Sequence, residues 1–417
     1  MSLRIAIIGA GLGGLATALF LRQAGLHATV YEQAAQLREV GAGIVVSPNM
    51  VRPLVQLGLE DALAACAVRL EAAWEFRRWQ DGRVLFVQPM GEACRRLYGA
   101  DCYVAHRADL LSLLLQALPG EQLRLDQRCT ALQQDERGIE LQFVNRAGDT
   151  NARRVDVVIG ADGIHSTLRP MLSRKCGSAT FLDPPGGRQA MAGLGALSTD
   201  EPARVSGLCA FRCLVPAEQA PAMARRPVQT LWLGPGRHFV HYPVSAGRVV
   251  NVVAIVPAGD WRAESWTSEG SVADLATEFA GWDERVGQLI QSATDTKRWA
   301  LYDRPPLARW SHGRATLLGD AAHAMLPFFG QGAAQAIEDA QVLAACLREA
   351  DPSSVPVALL RYESVRRPRA SQVQLMSRGR ELRNHLPDGP AQQARDAELA
   401  AGDPLRDSGW LYGGGVG

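Results

Sequence analysis

The opening forty residues switch between two hydrophobic periods. Ile5 to Ile8 is an unbroken apolar run rich in β-branched side chains, the pattern of a strand buried on both faces. Gly13 to Gln23 carries its apolar residues at helical spacing, and His27 to Tyr31 returns to strand character before Glu32. This sequence predicts a βαβ unit at the beginning of the chain. A glycine-rich turn and a helix are predicted over 41–59, and a second helix over 108–118. Alternation then resumes at 122–125, 129–133 and 139–144, and 154–160 reads as a buried strand ending in the turn Ala161-Asp162-Gly163.

From about residue 175 the pattern changes. Strand-like segments at 188–197, 205–215, 228–233, 238–243 and 249–256 predict a mostly antiparallel sheet, the last two joined by a Ser245-Ala246-Gly247 turn. A strand at 316–318 follows, then long helical patterns over 333–350 and 355–386. The stretch 387–417 is polar and rich in Gly and Pro, and only loosely ordered structure is expected there.

Composition narrows the class without naming a chemistry. With 417 residues, 47% hydrophobic and 21% charged, the chain can bury a sizeable core, which excludes a disordered, collagenous or disulfide-stapled protein. The net charge of +1 supplies no general field for nucleic acid or an anionic membrane. Eight scattered cysteines lack the paired spacings of a zinc site, so free thiols in a cytoplasmic setting are expected and no metal. Glycines interrupt the N-terminal apolar run, which argues against a secretory leader. No stretch reaches the roughly 20 apolar residues that a transmembrane helix needs.

The candidate chemistry lies at the ends of predicted strands. Gly9-x-Gly11-x-x-Gly14 joins a strand to a helix, and Glu32 ends the next strand. The first glycine makes the turn, the second admits a pyrophosphate against the backbone, and the third lets helix and strand pack closely. The helix N-terminus would supply N–H groups to the phosphates, and Glu32 would accept hydrogen bonds from a ribose. A second segment, Gly160-Ala-Asp162-Gly163 through Arg169, again follows a buried strand. A third runs from Leu317 through Gly319-Asp320, His323, Pro327 and Gly330-Gln-Gly332 into a helix.

With these three fingerprints in order, and Arg38-Glu-Val-Gly41-Ala-Gly43-Ile44 through Asn49 beside them, the chain resembles the single-component FAD-dependent aromatic hydroxylases. This class includes para-hydroxybenzoate hydroxylase, and the pattern is nearest to salicylate hydroxylase, 3-hydroxybenzoate 6-hydroxylase and 6-hydroxynicotinate 3-monooxygenase. The resemblance implies an α/β fold. A discontinuous Rossmann-like FAD-binding domain (1–174 and 301–350) would hold an inserted, mostly antiparallel substrate sheet (175–300), followed by C-terminal helices and tail (351–417). It implies FAD as cofactor, NADH or NADPH as a transient co-substrate, and O2. A flavin hydroperoxide would then hydroxylate a small hydroxylated aromatic or heteroaromatic acid, salicylate-type with or without decarboxylation. Urate or quinolone hydroxylation on the same scaffold, and an FAD-binding protein without oxygenase activity, are the alternatives. The expected assembly is a monomer or homodimer.

The resemblance also implies roles. Gly9, Gly11, Gly14, Glu32, Arg38, Arg107, Asp162, Asp320, Pro327, Gly330, Gly332 and Ala333 would contact FAD. Asp162 is equally a turn-forming acid that caps a helix. In His238-Phe-Val-His241-Tyr242, residues four apart on a strand share a face, placing His238, Val240 and Tyr242 on one surface and His241 on the other. His238 would be the acid/base or substrate hydrogen-bond partner and Tyr242 its orienter, against the plainer reading of two structural side chains. His323 is expected to pack behind the flavin loop. Cys209 and Cys213 share a face and either line the pocket or pack as small apolar groups. Arg212 either pairs a substrate carboxylate or makes a surface salt bridge. Leu326, Phe328 and Phe329 would roof an aromatic ring or fill core.

Overall fold

The computed structural model describes residues 3–37, 42–173, 202–261 and 268–414. Arg38 and the strand predicted over 188–197 lie outside them.

The βαβ unit forms as the hydrophobic pattern requires. Strand Ile5–Ile8 is wholly buried and pairs in parallel with Ala28–Tyr31 on one side and Val157–Gly160 on the other. Helix Leu12–Gln23 bridges the first two. Among the described residues this sheet has six strands in the order 311–312, 315–317, 157–160, 5–8, 28–31, 123–124, so one edge is supplied by a segment more than 150 residues beyond the strand it joins. The predicted strand 154–160 is two elements. Thr150–Val155 closes a three-stranded meander with Arg128–Asp135 and Gly138–Val144, and the chain turns at Asp156 to enter the parallel sheet. Arg4 fixes that turn by donating from Nη2 to Asp156 Oδ1 at 2.7 Å.

The second layer is an eight-stranded sheet, mostly antiparallel. Its centre is Arg204–Pro216, Val249–Pro257, Arg237–Val244 and Val228–Gly234, in that spatial order. The hairpin at Ser245-Ala246-Gly247 is present, all three residues having positive φ. The sheet is not confined to 175–300. Ala72–Arg78 and Val84–Pro89, from the segment expected to serve FAD alone, extend one edge, and Thr296–Asp303 crosses the boundary expected at 300 on the other side. Register shifts and alternation with charged residues hide these two strands from a reading of the sequence.

The C-terminal region departs most from expectation. Helix Val355–Asn384 runs behind helix Gly332–Leu347, and the supposedly loose tail folds into helices Pro390–Ala401, Pro404–Asp407 and Gly409–Tyr412. Leu405, Leu411 and Tyr412 are buried against Val240, Tyr242 and Val373. Backbone groups hold the tail in place. Leu405 N donates to Gln88 Oε1 at 2.9 Å, and Arg369 donates to the carbonyls of Trp410 and Leu411 at 2.8 and 2.7 Å. A polar segment is thus ordered by a few apolar anchors and specific hydrogen bonds, which a composition argument does not register. Among the described residues no helix is long and apolar enough to cross a membrane.

Candidate active site

A cavity of about 540 Å³ opens between the two sheets, beyond the carboxyl ends of the parallel strands. Gly11 and Gly13 line it after the first strand, Ala161 and Asp162 after strand 157–160, and Leu318 to Asp320 after strand 315–317. A smaller cavity of about 180 Å³, lined by Ala10, Glu32, Ala34 and Leu111, shares Gly11 with it.

The three glycines answer to different constraints. Gly9 has φ +108° and a side chain there would run into the Ala161 carbonyl, so only glycine fits. A Cβ on Gly14 would strike the Gly9 carbonyl oxygen, which is the close helix-strand contact the motif requires. Gly11 faces open space. Its bare backbone borders both cavities at the N-terminus of the helix, where an extended dinucleotide would lay its phosphates. The cradle therefore fits FAD. Glu32 accepts from Ala10 N at 2.9 Å and Ala34 N at 2.8 Å, which aims its carboxylate along the smaller cavity.

Asp162 caps a helix and also reaches the cavity. It accepts from Thr167 N at 2.7 Å and Leu168 N at 3.2 Å, capping helix Leu168–Ser173, while lining the larger cavity. Arg107 lines the same wall at the start of helix Arg107–Ala117. Asp320 lies opposite, after Gly319 with φ +57°. Pro327–Phe329 form a short turn, Gly330 has φ +64°, and Gly332 and Ala333 present the N-terminus of helix Gly332–Leu347 to the cavity. That end carries the positive pole of a 16-residue helix, suited to negative charge on a reduced flavin ring.

Behind these groups is a buried ionic network that motif reading did not reveal. Asp339 accepts from Gly319 N at 3.0 Å, His323 Nε2 at 2.6 Å and Arg366 Nε at 2.7 Å. Burial pushes its carboxyl up, but His323 and Arg366 outweigh that and hold it down at about 2. Glu338 is shared between Arg366, Arg369 and Asn49. On the other side Arg169 donates from Nε to Ala321 O at 2.8 Å and from Nη2 to Asp320 O at 3.1 Å. The turn carrying Asp320 is therefore held from both flanks. Arg169 ends the second fingerprint segment, but among so many arginines nothing in the sequence distinguishes Arg366 until the fold brings it to its partners.

The far end of the cavity is the inner face of the large sheet. His238, Val240 and Tyr242 all line it and His241 does not, as their alternation requires. Asn251 Oδ1 accepts from Gly43 N at 2.8 Å, and a Cβ at Gly43 would overlap the Tyr242 ring and Asn251, so this glycine lets the two layers close around the tyrosine. Burial drives the Tyr242 hydroxyl well above its ordinary range, opposed by Arg212. Arg212 lies within the cavity wall, its guanidinium 4.1 Å over the Trp299 ring, a position from which it can meet a bound ligand. Burial lowers it to about 10, leaving it a cation at neutral pH. Cys209 and Cys213 are on the opposite face, packed with Phe211, Leu275 and Val286, and do not line the cavity. Leu326, Phe328 and Phe329 do line it. Arg380, Asn384 and Tyr412 complete this end from the C-terminal region, and His385 meets His238 there.

Comparison with known proteins agrees with this geometry. Residues 2–377 match the FAD binding domain family FAD_binding_3. The chain is 41% identical over 410 residues to 3-amino-4-hydroxybenzoate 2-monooxygenase of Streptomyces platensis, covering 98% of this chain and 96% of that protein. It is 35% identical to 6-hydroxynicotinate 3-monooxygenase of Pseudomonas fluorescens, covering 90% of each. Among solved structures, Klebsiella pneumoniae HpxO complexed with FAD and uric acid is similar with a TM-score of 0.82 and 27% identity, over 100% of this chain and 98% of that one. The phosphate cradle, the helix pole and these similarities lead to one conclusion: the chain belongs to the single-component FAD-dependent aromatic hydroxylases.

Proposed function

We propose that this enzyme uses NAD(P)H and O2 to hydroxylate an aminohydroxybenzoate, with 3-amino-4-hydroxybenzoate as the leading substrate. The observation that carries this reading is the cavity joining the glycine cradle to a chamber whose sheet wall presents His238, Tyr242 and Arg212 from one face, with Leu326, Phe328 and Phe329 also lining it. The 41% identity to a 3-amino-4-hydroxybenzoate 2-monooxygenase supports that acid ahead of salicylate.

FAD held in the cradle would, when reduced by NAD(P)H, activate O2 for transfer of one oxygen atom, and the remaining tasks belong to the protein. Leu326, Phe328 and Phe329 exclude water and present a flat apolar surface to the ring. A hydroxyl entering next to an amino group is directed by the nitrogen lone pair, so the amine must be neutral and able to shed a proton. His238 is held neutral by burial and by His385, and a neutral imidazole can accept that proton or one from the adjacent phenol. Tyr242, kept protonated, donates a hydrogen bond to the ring oxygen. Arg212 keeps the potential positive where the ring oxygen gains charge.

The reading is tested by incubating the FAD-loaded enzyme with aminohydroxybenzoates, salicylate, hydroxynicotinates and urate. NAD(P)H consumed and product mass are measured for each. Turnover is expected to be fastest with 3-amino-4-hydroxybenzoate. A clear preference for urate or salicylate would replace the substrate, and retained FAD without NAD(P)H consumption would indicate a binding protein.

A further inference from the structure

The wall of the chamber opposite the sheet is built by the last turns of helix Val355–Asn384, with Arg380 and Asn384 beyond the residues that match the FAD-binding family. That match ends at residue 377. Val373, Ser377, Arg380 and Asn384 are spaced to fall on one helix face. Val373 is fully buried, and Ser377 is anchored by donating to the Leu326 carbonyl. The next two positions, Arg380 and Asn384, open into the cavity with Tyr412 from the terminal helix beside them. The Arg380 guanidinium lies 5.8 Å from the Phe329 ring centre, against the loop that borders the flavin site. Among the described residues no carboxylate lies within ion-pair distance of it. The titratable groups facing it are Arg383 and Tyr412, one a like charge and the other neutral. A guanidinium in a largely apolar chamber without a counter-ion is costly unless the ligand brings one.

We propose that Arg380, with Asn384, is the carboxylate-binding subsite of the substrate chamber. This rests on the aminohydroxybenzoate reading above and adds to it an orientation. Phe328 packs edge-on against His238, with ring centres 5.6 Å apart, while the adjacent Phe329 packs against Arg380. A benzoate lying along these two rings would direct its carboxylate to Arg380 and its para-hydroxyl and amino edge to His238. Arg212, beside Tyr242 and Arg107, is left to the oxygen-bearing edge of the ring. A planar guanidinium suits a carboxylate because both of its N–H edges can be used at once.

The test compares binding of 3-amino-4-hydroxybenzoate and its uncharged 3-amino-4-hydroxybenzamide to the FAD-loaded enzyme, alongside the Arg380→Gln and Arg380→Lys variants. FAD content and Tm serve as controls for folding. Arg380→Gln is expected to raise the Kd of the acid by about 10- to 100-fold and leave that of the amide within about threefold. Arg380→Lys keeps the charge without the fork, so an intermediate loss confined to the acid is expected, and this variant decides the matter if Arg380→Gln does not fold. Equal losses for acid and amide, or no loss for either, would overturn the subsite while leaving the substrate reading intact. Wild-type enzyme that holds FAD but binds no benzoic acid would overturn both.

Discussion

The Nδ1 atom of His238 lies 2.6 Å from Nε2 of His385, so the two rings share one hydrogen, with one nitrogen donating and the other accepting. Burial, then repulsion from His385, pushes His238 well below its ordinary value. His385 is lowered to about 4 by burial and then by Arg237. A proton taken up by His238 in the chamber thus has a neutral acceptor at the C-terminal end of helix Val355–Asn384.

This pairing sets the pH dependence. With His385 lowered to about 4 and His238 well below its ordinary value, kcat/KM should show no acid limb near the usual histidine value of about 6.5. Replacing His385 by Gln removes the repulsion, raises the value of His238 and moves the acid limb to higher pH. An unmoved limb in that variant would show that the pair does not govern turnover.

The glycine turn predicts two different failures. Gly14→Ala puts a Cβ into the Gly9 carbonyl and should lower Tm as well as FAD content. A Cβ at Gly11 meets no protein atom, so in Gly11→Ala the apoprotein should keep its Tm while the methyl group obstructs the phosphate cradle and weakens FAD binding by at least about tenfold. Flavin absorbance after reconstitution, read beside thermal melts, separates the two.

Arg366 is fully buried against Asp339 and Glu338. Arg366→Met takes the buried cation shared by two carboxylates, leaving Asp339 with His323 and Glu338 with Arg369, and should cost about 3–5 kcal/mol in denaturant unfolding. Because Asp339 is held down at about 2, its contribution to stability is present above about pH 4 and lost as pH falls toward 2. In Arg366→Met that loss should begin at higher pH, since one of the two groups that depress Asp339 is gone.

The tail is a structural and chamber element. Deleting 403–417 removes the buried side chains Leu405, Leu411 and Tyr412, each worth about 1.5–3 kcal/mol. It also opens the chamber wall at Tyr412. A marked fall in Tm and a rise in KM are expected; a variant unchanged in both would show that the tail is dispensable.

The cofactor cradle was legible in the sequence because its groups are local. Gly9, Gly11 and Gly14 act through their own turn, and strand parity alone separates His238 and Tyr242 from His241. The chamber was not legible, because it is assembled from long-range packing. His385 follows the helix that brings it to His238, and Asp339 meets Arg366 from a different helix 27 residues away. Cys209 and Cys213 share a face as expected, but which face is inward depends on the helices Val272–Glu278 and Glu284–Gln291 that cover it. Tyr412 lies in a segment whose composition suggests disorder and whose order comes from partners in distant strands and helices.

The central claim is oxygen transfer from O2 to an aromatic acid in this chamber. The most direct measurement is turnover of 3-amino-4-hydroxybenzoate with NAD(P)H under 18O2, followed by mass spectrometry of the product. The account predicts one 18O atom in the product for each NAD(P)H consumed. An FAD-loaded enzyme that consumes NAD(P)H but yields only labelled hydrogen peroxide, for every acid offered, would contradict it.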